Sequence, residues 1–173
     1  AARDVGLGAD LAKGQGLIGI GREVKGAVHD TQNARQASDD RLSGVYGTIV
    51  YDDLGDSAEG PVQRNVTIYA DGAADRSPCG SGTAARVALL AAYGRLGTGQ
   101  SLRHHSIVGT TFIARVAEHR TAGGYDAVIP EVDGMAYRTG EHMFVLDAAD
   151  SRGPGFVRRS ATGPQRAGAV GGA

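Results

Sequence analysis

Residues 75–90 read DRSPCGSGTAARVALL, and this stretch decides the fold that we expect. Its second part, from Thr83 onward, consists of strong helix formers, and Gly94 suits the position just past the helix end. Its first part is a turn rich in proline and glycine that holds the single cysteine of the chain, Cys79. The helix is apolar on most faces, which predicts a central position in the fold. Cys79 should therefore lie at or just before the first turn of that helix.

Shorter apolar runs on both sides of this helix predict strands. Alternating apolar residues begin at Val45 and recur at Val66. Beyond the helix, further β-like runs are separated by turns that contain glycine, and they cover residues 107–108, 112–116, 125–129 and 143–146. Residues 17–28 have one apolar face and predict a further helix, although their glycines weaken it. The expected fold class is α+β, with strands wrapped around one central helix.

Length and composition limit the classes of protein to consider. The 173 residues suit one domain, which we place at residues 1–157, and the unpatterned residues 158–173 predict a flexible tail. Lys and Arg total 18 against 19 Asp and Glu, so no basic stripe is available for nucleic acid. No apolar run reaches the roughly 20 residues of a membrane span, and no signal region precedes the domain. We expect a soluble, cytoplasmic protein that binds neither nucleic acid nor a membrane.

The position of Cys79 at a helix start has chemical consequences. Unpaired N–H groups and the helix macrodipole favour an anion there, so a substrate carboxylate could bind the backbone of Gly80, Ser81 and Gly82. The same field favours a thiolate, which can accept a proton or attack as a nucleophile. Asp75, four residues before the thiol, could hold a substrate ammonium group. On spacing alone, a capped helix start with Cys79 as a small buried hydrophobe is an equally good interpretation.

Metal binding is a rival interpretation at two places. His104 and His105 are adjacent, but successive strand residues point to opposite faces, and no third ligand follows at helical spacing. Three aspartates surround Gly55, but they lack the spacing and the closing glutamate of an EF-hand, which favours a hydrated turn. We expect no metal site.

Residues 70–90, ADGAADRSPCGSGTAARVALL, resemble the second catalytic motif of the proline racemase family. That family comprises proline racemases, hydroxyproline 2-epimerases and trans-3-hydroxyproline dehydratases. Further segments agree in order: GVYGTIVYDD at residues 44–53, SIVGTTFIARV at residues 106–116 and VIPEVDGMAYRTGEHMFVLD at residues 128–147. The resemblance covers nearly everything from about Leu17 to Phe156.

This resemblance implies a fold and a site. The family has a diaminopimelate-epimerase-like architecture of two halves, each a strand-wrapped central helix, with the substrate between two acid/base residues and no cofactor. By resemblance, Cys79 is the acid/base of this half, the backbone of Gly80 and Ser81 binds the substrate carboxylate, and Asp75 binds the ring nitrogen. Tyr69 falls where the family often has an aromatic residue near the pocket.

The resemblance also leaves alternatives open. The first motif of the family, a Met-Cys-Gly-His type turn, has no counterpart in this chain. Inversion at Cα needs proton removal on one face and donation on the other, so we expect an absent N-terminal half to supply the second group. Family members with threonine at this position resemble dehydratases, whereas this chain has Cys79. Racemisation or epimerisation of proline or hydroxyproline is therefore the leading function. Dehydration of trans-3-hydroxyproline and a non-catalytic carboxylate-binding fragment are the alternatives.

A domain that lacks its other half should expose the apolar face that meets it. This predicts binding of an N-terminal half or formation of a homo-oligomer.

Overall fold

The computed structural model describes residues 1–6, 14–35, 41 and 43–151. Residues 1–136 form one compact unit, and residues 137–151 belong to a second unit. The α-helices and strands of the described residues are α1 Gly14–Val28, β1 Gly47–Ser57, β2 Gly60–Tyr69, β3 Ala73–Ala74, α2 Gly80–Ala92, β4 Leu102–Ser106, β5 Thr111–Ala122 and β6 Tyr125–Asp133. None of the helices in these ranges has the length and apolar character to span a membrane.

The strands form one sheet in the order β1-β2-β4-β5-β6, and the short β3 pairs with the end of β2. The pairs β1–β2, β4–β5 and β5–β6 are antiparallel, whereas β2 and β4 are parallel. Parallel neighbours need a crossover connection, and here the crossover contains α2. The turn that carries Cys79 therefore lies where the chain leaves the end of β2.

Helix α1 packs against β1 and β2 on one face of the sheet. Its buried residue Leu17 belongs to a cluster with Ala2, Val50, Val66 and Ile68. A Cβ atom on Gly21 would lie 2.7 Å from Cβ of Ile68, so the helix can approach this strand only with glycine at that position. The helix predicted over residues 17–28 is confirmed, and at least one of the glycines that weaken its pattern serves close packing.

Helix α2 lies over β5 and β6 and over the face of β2 that is turned away from α1. Its buried residues Val87 and Leu90 join an apolar cluster with Leu96, Leu102 and Ala114. The other face of the helix is open, and Leu89 there is 42% exposed. Gly94, with φ of 67°, follows the helix end as predicted. The predicted α+β class is confirmed, and within the described residues the central helix is covered on one side.

Two of the predicted strands are wrong. Ile107 and Val108 form a tight turn after β4, in which the N–H of Gly109 donates to the carbonyl of Ser106 at 3.0 Å. The hydroxyl of Ser106 also accepts from two backbone N–H groups, and this local bonding outweighs the β propensity of the apolar pair. Residues 143–146 form no strand, and Phe144 is 90% exposed, because no described segment pairs with this apolar run.

The other predicted strands are confirmed and are longer than the apolar runs that indicated them. The predicted tail, residues 158–173, lies outside the described residues.

Candidate active site

Cys79 is the N-cap residue of α2. Its Sγ accepts a hydrogen bond from the N–H of Gly82 at 3.4 Å and lies 3.5 Å from Oγ of Ser81. The sulfur thus takes the place of the side-chain oxygen that usually caps a helix. The backbone of Cys79 has φ of 64° and ψ of 114°, a conformation that residues with a Cβ atom rarely adopt. Such strain costs about 1–3 kcal/mol and is concentrated at functional sites.

Hydrogen bonds fix the turn that precedes Cys79. Oδ1 of Asp75 accepts from the N–H of Ser77 at 2.8 Å, and Oγ of Ser77 accepts from the N–H of Cys79 at 3.0 Å. The N–H of Asp75 donates to the carbonyl of Thr67 at 2.9 Å, which ties the turn to β2. Asp75 therefore shapes the turn in addition to its predicted contact with a substrate nitrogen.

The thiol lies on an open cleft of about 460 Å³ between the start of α2 and strands β1 and β2. The cleft is lined by Tyr46, Gly47, Ile49, Thr67, Tyr69, Asp75, Cys79, Ser81, Gly82 and Ala85. Its size is within the range of small-molecule sites, and its walls are mostly apolar with a few converging polar groups. Of the predicted site residues, Cys79, Asp75 and Ser81 line the cleft, whereas the exposed Gly80 does not. Tyr69 lies where the resemblance places an aromatic residue.

The first turn of α2 has N–H groups to offer a ligand. The N–H of Gly82 donates to the thiol of Cys79, and the N–H of Thr83 donates to the carbonyl of Cys79 at 2.8 Å. Within the described residues, nothing accepts a hydrogen bond from the N–H groups of Gly80 and Ser81. These two groups, at the positive end of the helix dipole, suit a carboxylate. In this structure the N–H of Gly82 donates to the thiol, and its contact with a substrate carboxylate stays a prediction.

His104 was not predicted to belong to the site, yet it lies directly beneath the cysteine turn. It is fully buried, with Nδ1 2.9 Å from Oγ1 of Thr83 and Nε2 2.9 Å from Nδ2 of Asn65. Burial, with smaller contributions from the charges of Arg86 and His105, lowers the pKa of His104 to about 4. The imidazole is therefore neutral at physiological pH.

A sequence signal for this burial exists in β4. Leu102, His104 and Ser106 alternate along the strand, and all three are buried, whereas the residues between them are half-buried. The period of two marks His104 as a residue of the inner face. The adjacent histidines drew attention to metal binding instead.

The described residues contain no group of three or more His, Cys, Asp or Glu side chains that could hold a metal ion. Nδ1 of His105 lies 2.8 Å from Oγ1 of Thr111. Asp53 and Asp56 form ion pairs with Arg95 at an irregular point of β1. The predicted hydrated turn is wrong, because β1 continues through Gly55 and the guanidinium of Arg95 binds two of these aspartates.

The comparison with known families gives one match over most of the chain. The family model described as proline racemase matches residues 1–157. The chain belongs to the proline racemase family. The resemblance that the DRSPCGSGT turn indicates is thus confirmed.

Three members of the proline racemase family show how this chain relates to complete proteins. It is 35% identical over 156 residues to a trans-3-hydroxy-L-proline dehydratase of Bacillus cereus, which covers 90% of this chain and 46% of that protein. It is 33% identical, with the same coverage, to a proline racemase of Acetoanaerobium sticklandii. A crystal structure of a hydroxyproline epimerase from Agrobacterium vitis, with bound trans-4-hydroxy-L-proline, matches with a TM-score of 0.74 and 32% identity, covering 91% of this chain and 44% of that one. The chain spans less than half the length of these relatives.

Proposed function

We propose that this chain supplies one half of the active site of an isomerase that inverts the α-carbon of proline or hydroxyproline. Cys79 is the acid/base residue of this half, and the reaction uses no cofactor. The observation that carries the proposal is the thiol of Cys79 at the N-cap of α2, on a cleft that also contains Asp75. Family membership supports the reaction class, since the relatives include a proline racemase and a hydroxyproline epimerase.

The cleft accounts for each part of such a substrate. The carboxylate binds the N–H groups of Gly80 and Ser81, and the ring nitrogen binds the carboxylate of Asp75, whose Oδ2 is not used by the turn. The apolar walls accommodate a pyrrolidine ring. This arrangement turns the α-hydrogen toward Sγ of Cys79, which accepts it as a thiolate stabilised by the N–H of Gly82.

Inversion needs a second acid/base group on the opposite face of the α-carbon. Cys79 is the only cysteine of the chain, and Asp75, the other acidic residue that lines the cleft, is assigned to the ring nitrogen. We propose that an N-terminal half, outside this chain, supplies that group. The isolated chain then catalyses no turnover.

The predicted domain and the expected partner follow from the same idea. We propose residues 1–157 as one C-terminal-type domain whose open α2 face, which carries Leu89, Ala88 and Ala92, contacts an N-terminal half or a second copy. Sedimentation should show self-association that an added N-terminal half suppresses. A chain that stays monomeric at high concentration and does not bind the added N-terminal half would contradict the proposal. A cytoplasmic location stays a prediction, which fractionation tests.

Exchange of the α-hydrogen for deuterium tests the function directly. With an intact N-terminal half added, L-proline or trans-4-hydroxy-L-proline should exchange its α-hydrogen, and Cys79→Ala should lower the rate by at least about a hundredfold. Exchange that survives Cys79→Ala would remove the cysteine from the mechanism. No exchange with either substrate would favour a fragment that binds carboxylates without chemistry.

Dehydration is a second candidate, because the Bacillus cereus relative is a trans-3-hydroxy-L-proline dehydratase. The same deprotonation at Cα would be followed by loss of the β-hydroxyl. The two reactions differ in product when trans-3-hydroxy-L-proline is supplied. A pyrroline product indicates dehydration, whereas an epimer without pyrroline indicates inversion.

A further inference from the structure

A buried polar layer lies directly under the cysteine turn and consists of the side chains of Asn65, Thr83 and His104. All three are fully buried. Nδ2 of Asn65 lies 2.9 Å from Nε2 of His104, and Nδ1 of His104 lies 2.9 Å from Oγ1 of Thr83. The layer thus links β2, β4 and the first turn of α2 by a continuous chain of hydrogen bonds.

The direction of these bonds follows from what surrounds Asn65. Its Nδ2 contacts the carbonyls of Pro78 at 3.2 Å and His105 at 3.3 Å, both of which can only accept. The amide nitrogen therefore faces them and also donates to Nε2 of His104, so its two hydrogens are shared among three acceptors. A neutral imidazole then carries its proton on Nδ1 and donates to Thr83. The hydroxyl of Thr83 in turn donates to the carbonyl of Pro78 at 3.2 Å.

The two ends of the layer converge on one peptide unit, the one that joins Pro78 to Cys79. Its carbonyl accepts from both Asn65 and Thr83, and its N–H donates to Oγ of Ser77. On the other side of Cys79, the carbonyl accepts from the N–H of Thr83. Both peptide planes that flank the Cα atom of Cys79 are therefore held, which is what a strained φ of 64° requires in order to persist.

We propose that His104 is a positioning residue for Cys79. Its neutral imidazole orders Asn65 and Thr83, which hold the Pro78 carbonyl and so keep Cys79 in the conformation that caps α2 and places the thiol on the cleft. The inference rests on the proposed function of Cys79 as an acid/base. It adds a cause for the geometry of the thiol that lies outside the cleft itself.

Stability alone does not account for this layer. Leu102, on the same face of β4, is buried in an apolar cluster, so this face accepts an apolar side chain. The layer instead leaves Oδ1 of Asn65 buried with no hydrogen-bond partner among the described residues. A buried polar network of this kind costs free energy and in return fixes one geometry.

The test compares two substitutions at Thr83. Thr83→Val has the same shape but lacks the hydroxyl, whereas Thr83→Ser keeps it. The readout is the rate of Cys79 alkylation by iodoacetamide at neutral pH, divided by the plateau rate in alkaline solution. Because accessibility affects both rates equally, this ratio reports the fraction of Cys79 that is thiolate at neutral pH. Thr83→Val should lower this ratio about tenfold, the size of one lost hydrogen bond, and Thr83→Ser should stay within about twofold of the parent chain.

A stability control and a second pair of variants complete the design. Val128→Ala removes packing beneath α2 without touching the turn, and it should lower the midpoint of urea unfolding but leave the alkylation ratio unchanged. His104→Leu should act like Thr83→Val, and His104→Asn, which keeps a donor beside Thr83, should recover most of the ratio. This pair decides the question if Thr83→Val does not fold.

The proposal is overturned if Thr83→Val or His104→Leu folds with an unchanged ratio, or if Val128→Ala lowers the ratio equally. The ratio is measured without substrate and without a second half. It therefore stands or fails independently of α-hydrogen exchange, which tests the proposed function.

Discussion

The two faces of β2 are both buried, but they differ in chemistry. Val66 and Ile68 point to α1 and lie in an apolar cluster. Gln63, Asn65 and Thr67 alternate with them, point to the side of α2, and are polar and buried. Burial therefore serves two purposes in this strand: on the α1 side it stabilises the fold, and on the α2 side it fixes the shape of a site.

The polar face has an energetic cost that the apolar face does not show. Nε2 of Gln63, Oδ1 of Asn65 and Oγ1 of Thr67 are buried and have no hydrogen-bond partner within the described ranges. Each such atom costs about 1–3 kcal/mol. Arg86 extends this face: its Nε donates to Oε1 of Gln63 at 3.0 Å, and its guanidinium lies 3.8 Å from the ring centre of Tyr51. Polar side chains concentrate on the side of β2 that leads to Cys79.

Substitution on the apolar face should have the largest effect on stability. Ile68→Ala should lower the free energy of unfolding by about 2–5 kcal/mol, because it leaves a cavity against α1. Urea unfolding measures this, and the alkylation ratio of Cys79 should not change. The matched control is Thr67→Val on the other face, which removes an unpaired hydroxyl and should be neutral or stabilising. An equal loss of stability in both variants would contradict the division between the faces.

Acid, which acts on the polar face, should have the second-largest effect on the free energy of unfolding. His104 has an ordinary pKa of 6.5, which burial and the nearby charges of Arg86 and His105 lower to about 4 in the folded chain. Between these two pH values the unfolded chain binds more protons than the folded chain. The free energy of unfolding is therefore highest above pH 6.5 and falls as the pH decreases to about 4. The loss should amount to about 3 kcal/mol at most.

Urea unfolding at several pH values measures this dependence, with His104→Asn as the control. Burial, together with the charges of Arg64 and Arg103, also lowers the pKa of His105, so the variant should retain a shallower slope in the same direction. An unchanged slope in His104→Asn would show that His104 is not the group that titrates.

Relief of strain at Cys79 should give the smallest effect. Cys79→Gly also loses the Sγ cap but adopts positive φ without a Cβ clash, so its free energy of unfolding should exceed that of Cys79→Ala by about 1 kcal/mol. Cys79→Ala keeps the strain and loses the Sγ cap, so it should be less stable than the parent chain. Urea unfolding of the three chains gives the order. If the alanine variant were as stable as the glycine variant, the backbone at this position would not be strained.

The cysteine turn could be read from the sequence because its determinants are local. Proline, glycines and a run of helix formers fix the place of Cys79 without help from distant residues. The role of β2 could not be read in this way, because Gln63, Asn65 and Thr67 alternate with apolar residues as solvent-facing side chains of a strand do. Only the position of α2 over that face reveals that they are buried.

The wrong predictions have the same origin. The apolar residues 107–108 and 143–146 have strand propensity, but a strand also needs a partner to bond with. The hydroxyl of Ser106 closes the first run into a turn, and the second has no partner among the described segments. Local propensity is informative where local bonds decide the structure, and it fails where the partner lies elsewhere.

Alkylation of Cys79 in the presence of pyrrole-2-carboxylate, a planar mimic of the deprotonated substrate, tests the central claim most directly. With an N-terminal half added, the thiol should react readily at neutral pH, and the ligand should slow the reaction in proportion to its occupancy. Cys79 that is inert toward iodoacetamide, or that reacts at the same rate with saturating ligand, would contradict its assignment as the acid/base of this half.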